Sequence, residues 1–233
     1  MAVSELPRSK SWRIRVLLEL WSCADQVTLV RAEPAVERIA RAARCQARAS
    51  LAMPTGAPRL VEPVRLERLA LRHAQQFLRA VRSSRDLHRR WVSPPADLSK
   101  FAQHVKSLRS ANREGFVVVA GREDIVGAIN VNEIVRGSFQ SAYLGYYAFE
   151  PFAGRGFMRA GMRLAISRCF GELSLHRLEA NIQPDNARSI ALVKSLGFHL
   201  EGLSPRYLKI GGRWRDHERW ALLSDNWRGT PLS

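Results

Sequence analysis

The sequence predicts an α+β protein built on one mixed, mostly antiparallel sheet with helices on both faces. Three β-branched runs at residues 116–149 follow one another closely, as in an antiparallel meander. Helix-like patterns stand before and after this meander, and glycine or proline separates them from the strands. Because strands and helices do not alternate strictly, the pattern favours α+β over a parallel α/β sheet.

The elements follow in order from residue 59 onward. Alternating or β-branched runs predict strands at residues 61–71, 116–120, 125–134, 142–149, 177–182, 198–208 and 214–223. Amphipathic spacing predicts helices at residues 74–81, 84–91, 98–108, 158–170 and 186–196. Pro94 and Pro95 separate the second helix from the third, which Ser93 or Asp97 can cap, and Gly197 ends the fifth.

Residues 1–58 differ in pattern from the rest of the chain. Two segments there have helical spacing, but they hold too few large apolar residues to build a core. Three interpretations stay open: a loosely packed extension, a helical module on the main domain, or sequence upstream of a start at Met53. We expect a basic, Ala/Arg-rich extension that is loosely packed, then a main domain at residues 59–227 and a tail at residues 228–233.

The composition is that of a globular protein without membrane-spanning segments. Hydrophobic residues make up 46% and charged residues 25% of the chain. No uncharged apolar run approaches the roughly 18–20 residues of a membrane helix. Three cysteines without metal-ligand spacing indicate reduced thiols. We therefore expect a cytoplasmic protein with no membrane partner and no metal.

The strongly basic charge is spread along the sequence. There are 37 Lys+Arg against 21 Asp+Glu, which gives +16, and residues 1–60 hold 10 of the basic and 5 of the acidic residues. The remaining 27 basic and 16 acidic residues have a similar balance, so no concentrated basic tail exists. We expect weak, non-specific and salt-dependent polyanion binding at most.

A glycine-rich segment between a predicted strand and a predicted helix carries the first chemical signal. Gly154 and Gly156 permit backbone conformations closed to other residues and allow a ligand to approach the main chain. The unpaired amides and positive dipole of the following helix then face the loop, with Arg155 and Arg159 beside it. This arrangement predicts a diphosphate cradle, although glycines in a tight turn have the same pattern.

A second segment, from His176 to Gly202, makes the interpretation of the glycine-rich segment more specific. It reads as a strand, a proline-bounded turn, a helix that begins at Asn186, a glycine stop and another strand. Together the two segments resemble the GNAT superfamily of acyl-CoA N-acyltransferases, most closely its ribosomal-protein N-terminal acetyltransferase branch (the RimJ/RimL type). The resemblance covers roughly residues 59–227 and implies a GNAT-like mixed sheet.

The resemblance also implies which residues hold the donor substrate, acetyl-CoA. The strand before the loop, Tyr146–Phe149, offers main-chain groups to the pantetheine arm, with Tyr147 and Phe149 singled out, and Asn186 is a further partner of that arm. Ala153 stands where Gln or Arg is usual, which removes a side-chain donor but leaves the amides. The amides implied to hold the diphosphate are those of Gly154, Arg155, Gly156, Phe157 and Met158.

For the leaving thiolate, the resemblance leads to Ser189. Many family members place a proton-donating tyrosine seven residues after the asparagine, but this chain has Val193 there. In the RimJ/RimL type a serine hydrogen-bonds the thiol of CoA. The resemblance therefore implies that Ser189 makes this hydrogen bond here. The alternative for Ser189 is a bond to its own backbone in the first helical turn.

For the attacking amine, Glu179 stands where some relatives carry a proton-accepting glutamate. The alternative is a salt bridge to Arg177 or Arg206, and Glu133 is the reserve base. The absence of a nucleophile beside a histidine favours direct attack without an acetyl-enzyme intermediate.

These features predict an enzyme that transfers an acetyl group from acetyl-CoA to a primary amine. The protein N-terminal α-amine, for example of a ribosomal protein, is the favoured acceptor. Two alternatives remain: a non-catalytic GNAT-shaped module that binds nucleic acid or the ribosome, and an enzyme acting on a small-molecule amine.

Overall fold

The computed structural model describes residues 63–229. The extension predicted at residues 1–58 and residues 230–233 of the predicted tail lie outside the described part. Within it the chain forms seven strands. They are β1 (Val64–Arg68), β2 (Glu114–Ala120), β3 (Asp124–Val135), β4 (Ser141–Ala148), β5 (Arg177–Ile182), β6 (His199–Ile210) and β7 (Arg213–Leu223).

Five α-helices accompany the strands in residues 63–229. They are α1 (Ala74–Ser83), α2 (Arg85–His88), α3 (Leu98–Ser107), α4 (Phe157–Phe170) and α5 (Ala187–Ser195). Single 3₁₀ turns lie at Leu71–His73 and Ser224–Asn226. No helix in this part of the chain is long and apolar enough to cross a membrane.

All seven strands belong to one sheet with the order β1-β2-β3-β4-β5-β7-β6. Every neighbouring pair is antiparallel except β4 and β5, which are parallel. Helix α4 forms the crossover between these two strands. The predicted mixed, mostly antiparallel sheet is therefore confirmed.

The sheet has a hydrophobic core on each face. On one face α4 and α5 pack against the strands through residues such as Met162, Ile166 and Val193, all fully buried. On the other face α1 and α3 pack through Phe77 and Phe101, whose ring centroids are 4.9 Å apart. Strand β2 contributes to both cores, which explains its uninterrupted run of apolar residues.

The ends of several elements differ from the sequence prediction. The first strand stops at Arg68, because the chain turns into a 3₁₀ segment in which the Ala70 amide donates to His73 Nδ1 at 3.1 Å. The helix predicted at residues 84–91 is reduced to four residues. Asp97, rather than Ser93, caps α3, since its carboxylate accepts from the Lys100 amide at 2.8 Å.

Two buried side chains, one between α1 and α2 and one at the end of α2, fix the end of β4. The Ser84 hydroxyl accepts from the Glu150 amide at 2.9 Å, and His88 Nε2 lies 2.7 Å from the Ala148 carbonyl oxygen. Burial lowers the pKa of His88, so its ring is neutral and Nε2–H donates to that carbonyl. The end of the strand is thereby held in place directly before the glycine-rich loop.

Candidate active site

A gap opens in the sheet between β4 and β5. The two strands pair over three residues only, and the last pair joins Tyr143 to Glu179. Beyond it the strands diverge, which leaves residues 144–148 of β4 without a strand partner on that side. The backbone groups of β4 that point into this gap are therefore available to a ligand.

The register shows which β4 groups face the gap. The Phe149 amide donates to the Val126 carbonyl on β3 at 2.9 Å. Because antiparallel hydrogen-bonded pairs recur every second residue, the main chain of Tyr147 also faces β3. Tyr146 and Ala148 instead direct their main-chain groups into the gap. Within the predicted stretch Tyr146–Phe149, the main chains of Tyr147 and Phe149 are thus on the β3 side, and their side chains lie in the core.

The glycine-rich loop follows β4 and leads directly into α4. Gly154 and Gly156 have φ values of 76° and 91°, in the left-handed region that favours glycine. The first backbone bond of the helix runs from the Ala160 amide to the Gly156 carbonyl. In the described chain, the amides of residues 156–159 have no backbone acceptor, so four donors face the loop at the positive end of the helix.

Two side chains, one in the loop and one in the first turn of α4, contact neighbouring groups. The Arg155 guanidinium lies 5.4 Å from the ring centre of Phe157. The Met158 thioether packs against the backbone at Gly127, where an added Cβ would lie 2.1 Å from the sulfur. The Arg155 amide donates to the Phe152 carbonyl at 3.3 Å, so of these two residues only Met158 keeps an amide without a backbone acceptor in the described chain.

The start of α5 lies across the gap from β4. Asn186 Oδ1 accepts from the Ser189 amide at 3.2 Å and caps the helix, whereas its side-chain NH₂ has no partner within residues 63–229. The Ser189 hydroxyl lies 2.6 Å from the Tyr146 hydroxyl and links α5 to β4. Burial raises the pKa of Tyr146 to about 12, so this hydroxyl stays protonated at neutral pH.

The side chain of Tyr146 is not among the site residues that the sequence predicts, because a tyrosine on a strand carries no distinguishing pattern. Its contact with Ser189 joins positions 43 residues apart, and only the fold brings them together.

Glu179 lies at the closed end of the gap, 9% exposed. Its Oε1 accepts from Arg177 Nε at 2.8 Å, and Arg177 also binds Glu201 with an Nη1–Oε1 distance of 2.8 Å. The predicted alternative of a salt bridge to Arg177 is therefore present. Burial, a hydrogen bond with Tyr207 and the charge of Glu179 raise the pKa of Tyr143 to about 12.

The remaining predicted partners lie elsewhere. Arg206 donates its amide to Asp216 and forms no ion pair with Glu179. Glu133 is on β3, separated from β5 by β4, and accepts from Arg113 at 3.0 Å. The structure thus places only Glu179 of the two carboxylates at the gap.

No activated nucleophile lies in the described residues of the gap. Cys169 is fully buried in α4, and burial raises the pKa of its thiol to about 12. Residues 63–229 contain no group of three His, Cys, Asp or Glu side chains arranged to hold a metal ion.

A parallel strand pair that splits beside a glycine-rich helix start suits a transferase that binds an acyl-CoA donor. The family model of the acetyltransferase (GNAT) domain matches residues 64–199, which is more than half of the chain. The chain belongs to the GNAT family.

The chain is also similar to individual acetyltransferases, both in sequence and in structure. The chain is 40% identical over 105 residues to the [ribosomal protein uS5]-alanine N-acetyltransferase of Escherichia coli (strain K12), a match that covers 45% of the chain and 54% of that relative. It is similar to the structure of Mycobacterium smegmatis RimJ in complex with CoA-disulfide, at 25% identity and a TM-score of 0.67 over 72% of this chain and 85% of that one. The ribosomal-protein-S5-alanine acetyltransferase of Vibrio fischeri gives 26% identity and a TM-score of 0.64 over 72% and 96%.

Proposed function

We propose that the protein transfers the acetyl group of acetyl-CoA to the N-terminal α-amine of a protein by direct attack. The observation that carries this proposal is the β4–β5 gap, which opens between two helix starts and has Glu179 at its closed end. Each part of the gap supports one step of the reaction.

The loop and the open side of β4 fit acetyl-CoA. The unpaired amides at Gly156, Phe157 and Met158 supply donors for the diphosphate, at a helix start where negative charge is stabilised. The main-chain groups of Tyr146 and Ala148 and the free NH₂ of Asn186 are placed to bind the amide-bearing pantetheine arm. The CoA-disulfide complex of the similar Mycobacterium smegmatis protein supports this assignment.

The Tyr146–Ser189 pair is placed to stabilise the departing thiolate. When the Tyr146 hydroxyl donates to Ser189 Oγ, the serine proton is free to donate to the sulfur. A tyrosine whose pKa is about 12 does not release its proton to a thiolate of much lower basicity. We therefore assign Ser189 as the contacting donor and Tyr146 as the residue that positions it.

Glu179 is the proposed base for the attacking amine. An ammonium ion has no lone pair, so its proton must leave before nitrogen attacks the thioester carbonyl and the C–S bond breaks. The Arg177 guanidinium holds the Glu179 carboxylate in one orientation, while its second oxygen has no hydrogen-bond partner within residues 63–229. That oxygen accepts the proton directly or through a water molecule.

A protein α-amine is the favoured acceptor for chemical reasons and by similarity. Its pKa is about 7.7–8.0 against roughly 10.4 for a lysine side chain, so more of it is neutral at cytosolic pH. The Escherichia coli relative carries the name of a ribosomal-protein alanine acetyltransferase. A ribosomal-protein N-terminus is therefore our first candidate.

The test combines binding with product mapping. Isothermal titration measures acetyl-CoA affinity, and mass spectrometry locates acetyl groups on peptides that begin with Ala or Ser and contain an internal lysine. The same peptides with a blocked α-amine are the matched controls, and spermidine represents small-molecule amines. We expect modification of the free α-amine alone.

Other results would contradict specific parts of the proposal. Acetylation of spermidine without acetylation of the peptides would show that the acceptor is a small-molecule amine and not a protein α-amine. No heat and no thermal shift with millimolar acetyl-CoA would indicate a non-catalytic module. Ping-pong kinetics with a trappable acetylated residue would exclude direct transfer.

A further inference from the structure

A second concave site lies at the opposite end of the sheet from the glycine-rich loop. It is a cavity of about 640 Å³, within the usual range for ligand pockets. It is bounded by the end of β1, the end of α3, the start of β2, the end of β3 and the segment after α4. Helix α4 has 14 residues and spans about 21 Å from the glycine-rich loop to this end. The two sites are therefore separate.

Arginines dominate the wall of this cavity. One carboxylate, Glu114, also contributes to it. The arginines that line it are Arg68, Arg72, Arg109, Arg113 and Arg136.

The carboxylates of the protein leave two of these arginines unneutralised. Arg68 pairs with Glu114, Arg72 with Glu67 and Arg113 with Glu133, at 2.8, 3.3 and 3.0 Å. In residues 63–229 neither Arg109 nor Arg136 has a carboxylate partner. Arg136 donates one bond to the Leu173 carbonyl and keeps further donors free.

The floor of the cavity is aliphatic. It is formed by Leu69, Val105 and Ile134, which are buried, together with Leu108 and Leu173. The guanidinium groups around this floor are half-exposed or exposed, so they attract an anion through solvent and the attraction weakens with salt. A cavity of this kind fits a ligand with several negative charges better than a neutral one.

We propose that this cavity binds the phosphate groups of nucleotides, either free or in a single RNA strand. The planar guanidinium group matches phosphate oxygens with two parallel hydrogen bonds, which a lysine cannot provide. Arg109 and Arg136 supply two such groups without a carboxylate partner in residues 63–229, and the three paired arginines keep further N–H donors around the same opening. The total charge of +16 adds long-range attraction for the same ligand.

The sequence predicts dispersed charge, and the fold gathers part of it at this cavity. The five arginines are spread over 69 positions of the sequence, from 68 to 136, and are not clustered in any tail. Folding brings them to one opening. Binding is therefore expected to be local, although it remains salt-dependent.

The test measures binding of a fluorescein-labelled 12-nucleotide RNA by fluorescence anisotropy. Saturating CoA occupies the acetyl-CoA gap, so that RNA or ATP bound there does not contribute to the signal. The test variant is Arg109→Glu with Arg136→Glu. The matched control is Arg79→Glu with Arg82→Glu, two exposed arginines on α1 without ion pairs in residues 63–229, because it changes the net charge equally.

We expect at least a tenfold loss of RNA affinity for the cavity variant at about 50 mM salt, and a much smaller loss for the control. The slope of log K against log salt should fall by about 0.7 for each lost phosphate contact. Arg109→Glu alone should give part of this effect, and it spares the Arg136 bond to Leu173. Circular dichroism and thermal melting verify that each variant is folded.

Competition with unlabelled ATP distinguishes the two sources of phosphate. Displacement of the RNA by millimolar ATP assigns the cavity to free nucleotides as well, and resistance to ATP assigns it to a strand. Equal losses in the cavity variant and its control would show that only net charge matters and would overturn the proposal. Absence of RNA and ATP binding at 50 mM salt would overturn it too.

Discussion

Glu179 and its arginine partner form the part of the site whose role is most open to a direct test. We expect Glu179→Gln to lower kcat roughly 100-fold near pH 7 with little change in acetyl-CoA affinity, as for loss of a general base. The loss should shrink above pH 8, because an α-amine with a pKa of about 7.7–8.0 then deprotonates unaided. A pH–rate profile for both enzymes measures this.

The matched control is Glu201→Gln, which removes the other carboxylate on Arg177 and leaves Glu179 in place. It should keep most of the activity and show no such pH dependence. A control with the same loss as Glu179→Gln would mean that the arginine, rather than the base, governs the rate. Unchanged rates for Glu179→Gln would remove this residue from the mechanism and leave Glu133 as the candidate base.

The Tyr146–Ser189 pair allows a double-mutant cycle. Ser189→Ala removes the proposed donor to the sulfur, and Tyr146→Phe removes only the hydroxyl that positions it. A hydrogen bond contributes about 0.5–1.5 kcal/mol, so we expect each variant to lower kcat roughly 2- to 13-fold. Because Tyr146 acts through Ser189, the double variant should lose no more than Ser189→Ala alone.

Additive losses in that cycle would contradict the positioning role. A change in acetyl-CoA affinity with constant kcat would instead place the pair in substrate binding. Both outcomes are read from initial rates at varied acetyl-CoA concentration.

The register of β4 shows why residue-level assignment from sequence has a limit. Strand side chains and main-chain groups alternate with a period of two, so an error of one residue reverses every assignment. The sequence interpretation assigned the stretch Tyr146–Phe149 and singled out Tyr147 and Phe149, whereas the register directs the main-chain groups of Tyr146 and Ala148 into the gap. Only the pairing of Phe149 with Val126 decides this, and it depends on a partner strand.

Among the elements, the glycine-rich loop allows the sharpest test. We expect Gly156→Val to abolish measurable CoA binding, because its side chain would stand in the amide cluster and its backbone would have to leave φ 91°. Isothermal titration measures this affinity. Gly137→Val is the matched control, since Gly137 has φ 67° in the β3–β4 turn and open space around it.

Both variants should lose about 1–3 kcal/mol of stability from backbone strain, and only the first should lose CoA binding. Wild-type affinity for Gly156→Val would show that the diphosphate lies elsewhere. Equal losses of affinity in both would indicate a global effect on the fold.

At the level of whole elements the sequence was informative where local chemistry decides the structure. The strand Arg177–Ile182 has the predicted bounds, and Asp97 caps α3 as one of two predicted candidates. The prediction failed at residues 69–71, which leave the first strand because the chain turns there through the Ala70–His73 contact, and no sequence pattern distinguishes that turn from a continuing strand.

The charge distribution over the molecule could not be predicted, because it depends on which surface positions the fold brings together. Residues of the cavity come from five segments, and the sequence shows only their average density. Placing the arginine cavity and the acetyl-CoA gap at opposite ends also means that neither set of variants should affect the other ligand.

The last prediction concerns residues 1–58, which the sequence marks as separate from the main domain. All seven strands and both cores lie within residues 63–229, so we expect a chain that begins at Arg59 to fold without the preceding segment. Its thermal midpoint should stay within about 2–4 °C of the full chain, the shift that 1 kcal/mol produces in a domain of this size. CoA affinity should be unchanged, and RNA affinity should fall only modestly, because the truncation removes nine basic and five acidic residues.

Parallel melting curves and titrations of the two proteins test this. A large drop in the midpoint would favour the helical module packed on the main domain, and loss of RNA binding would move that site from the cavity to the removed segment.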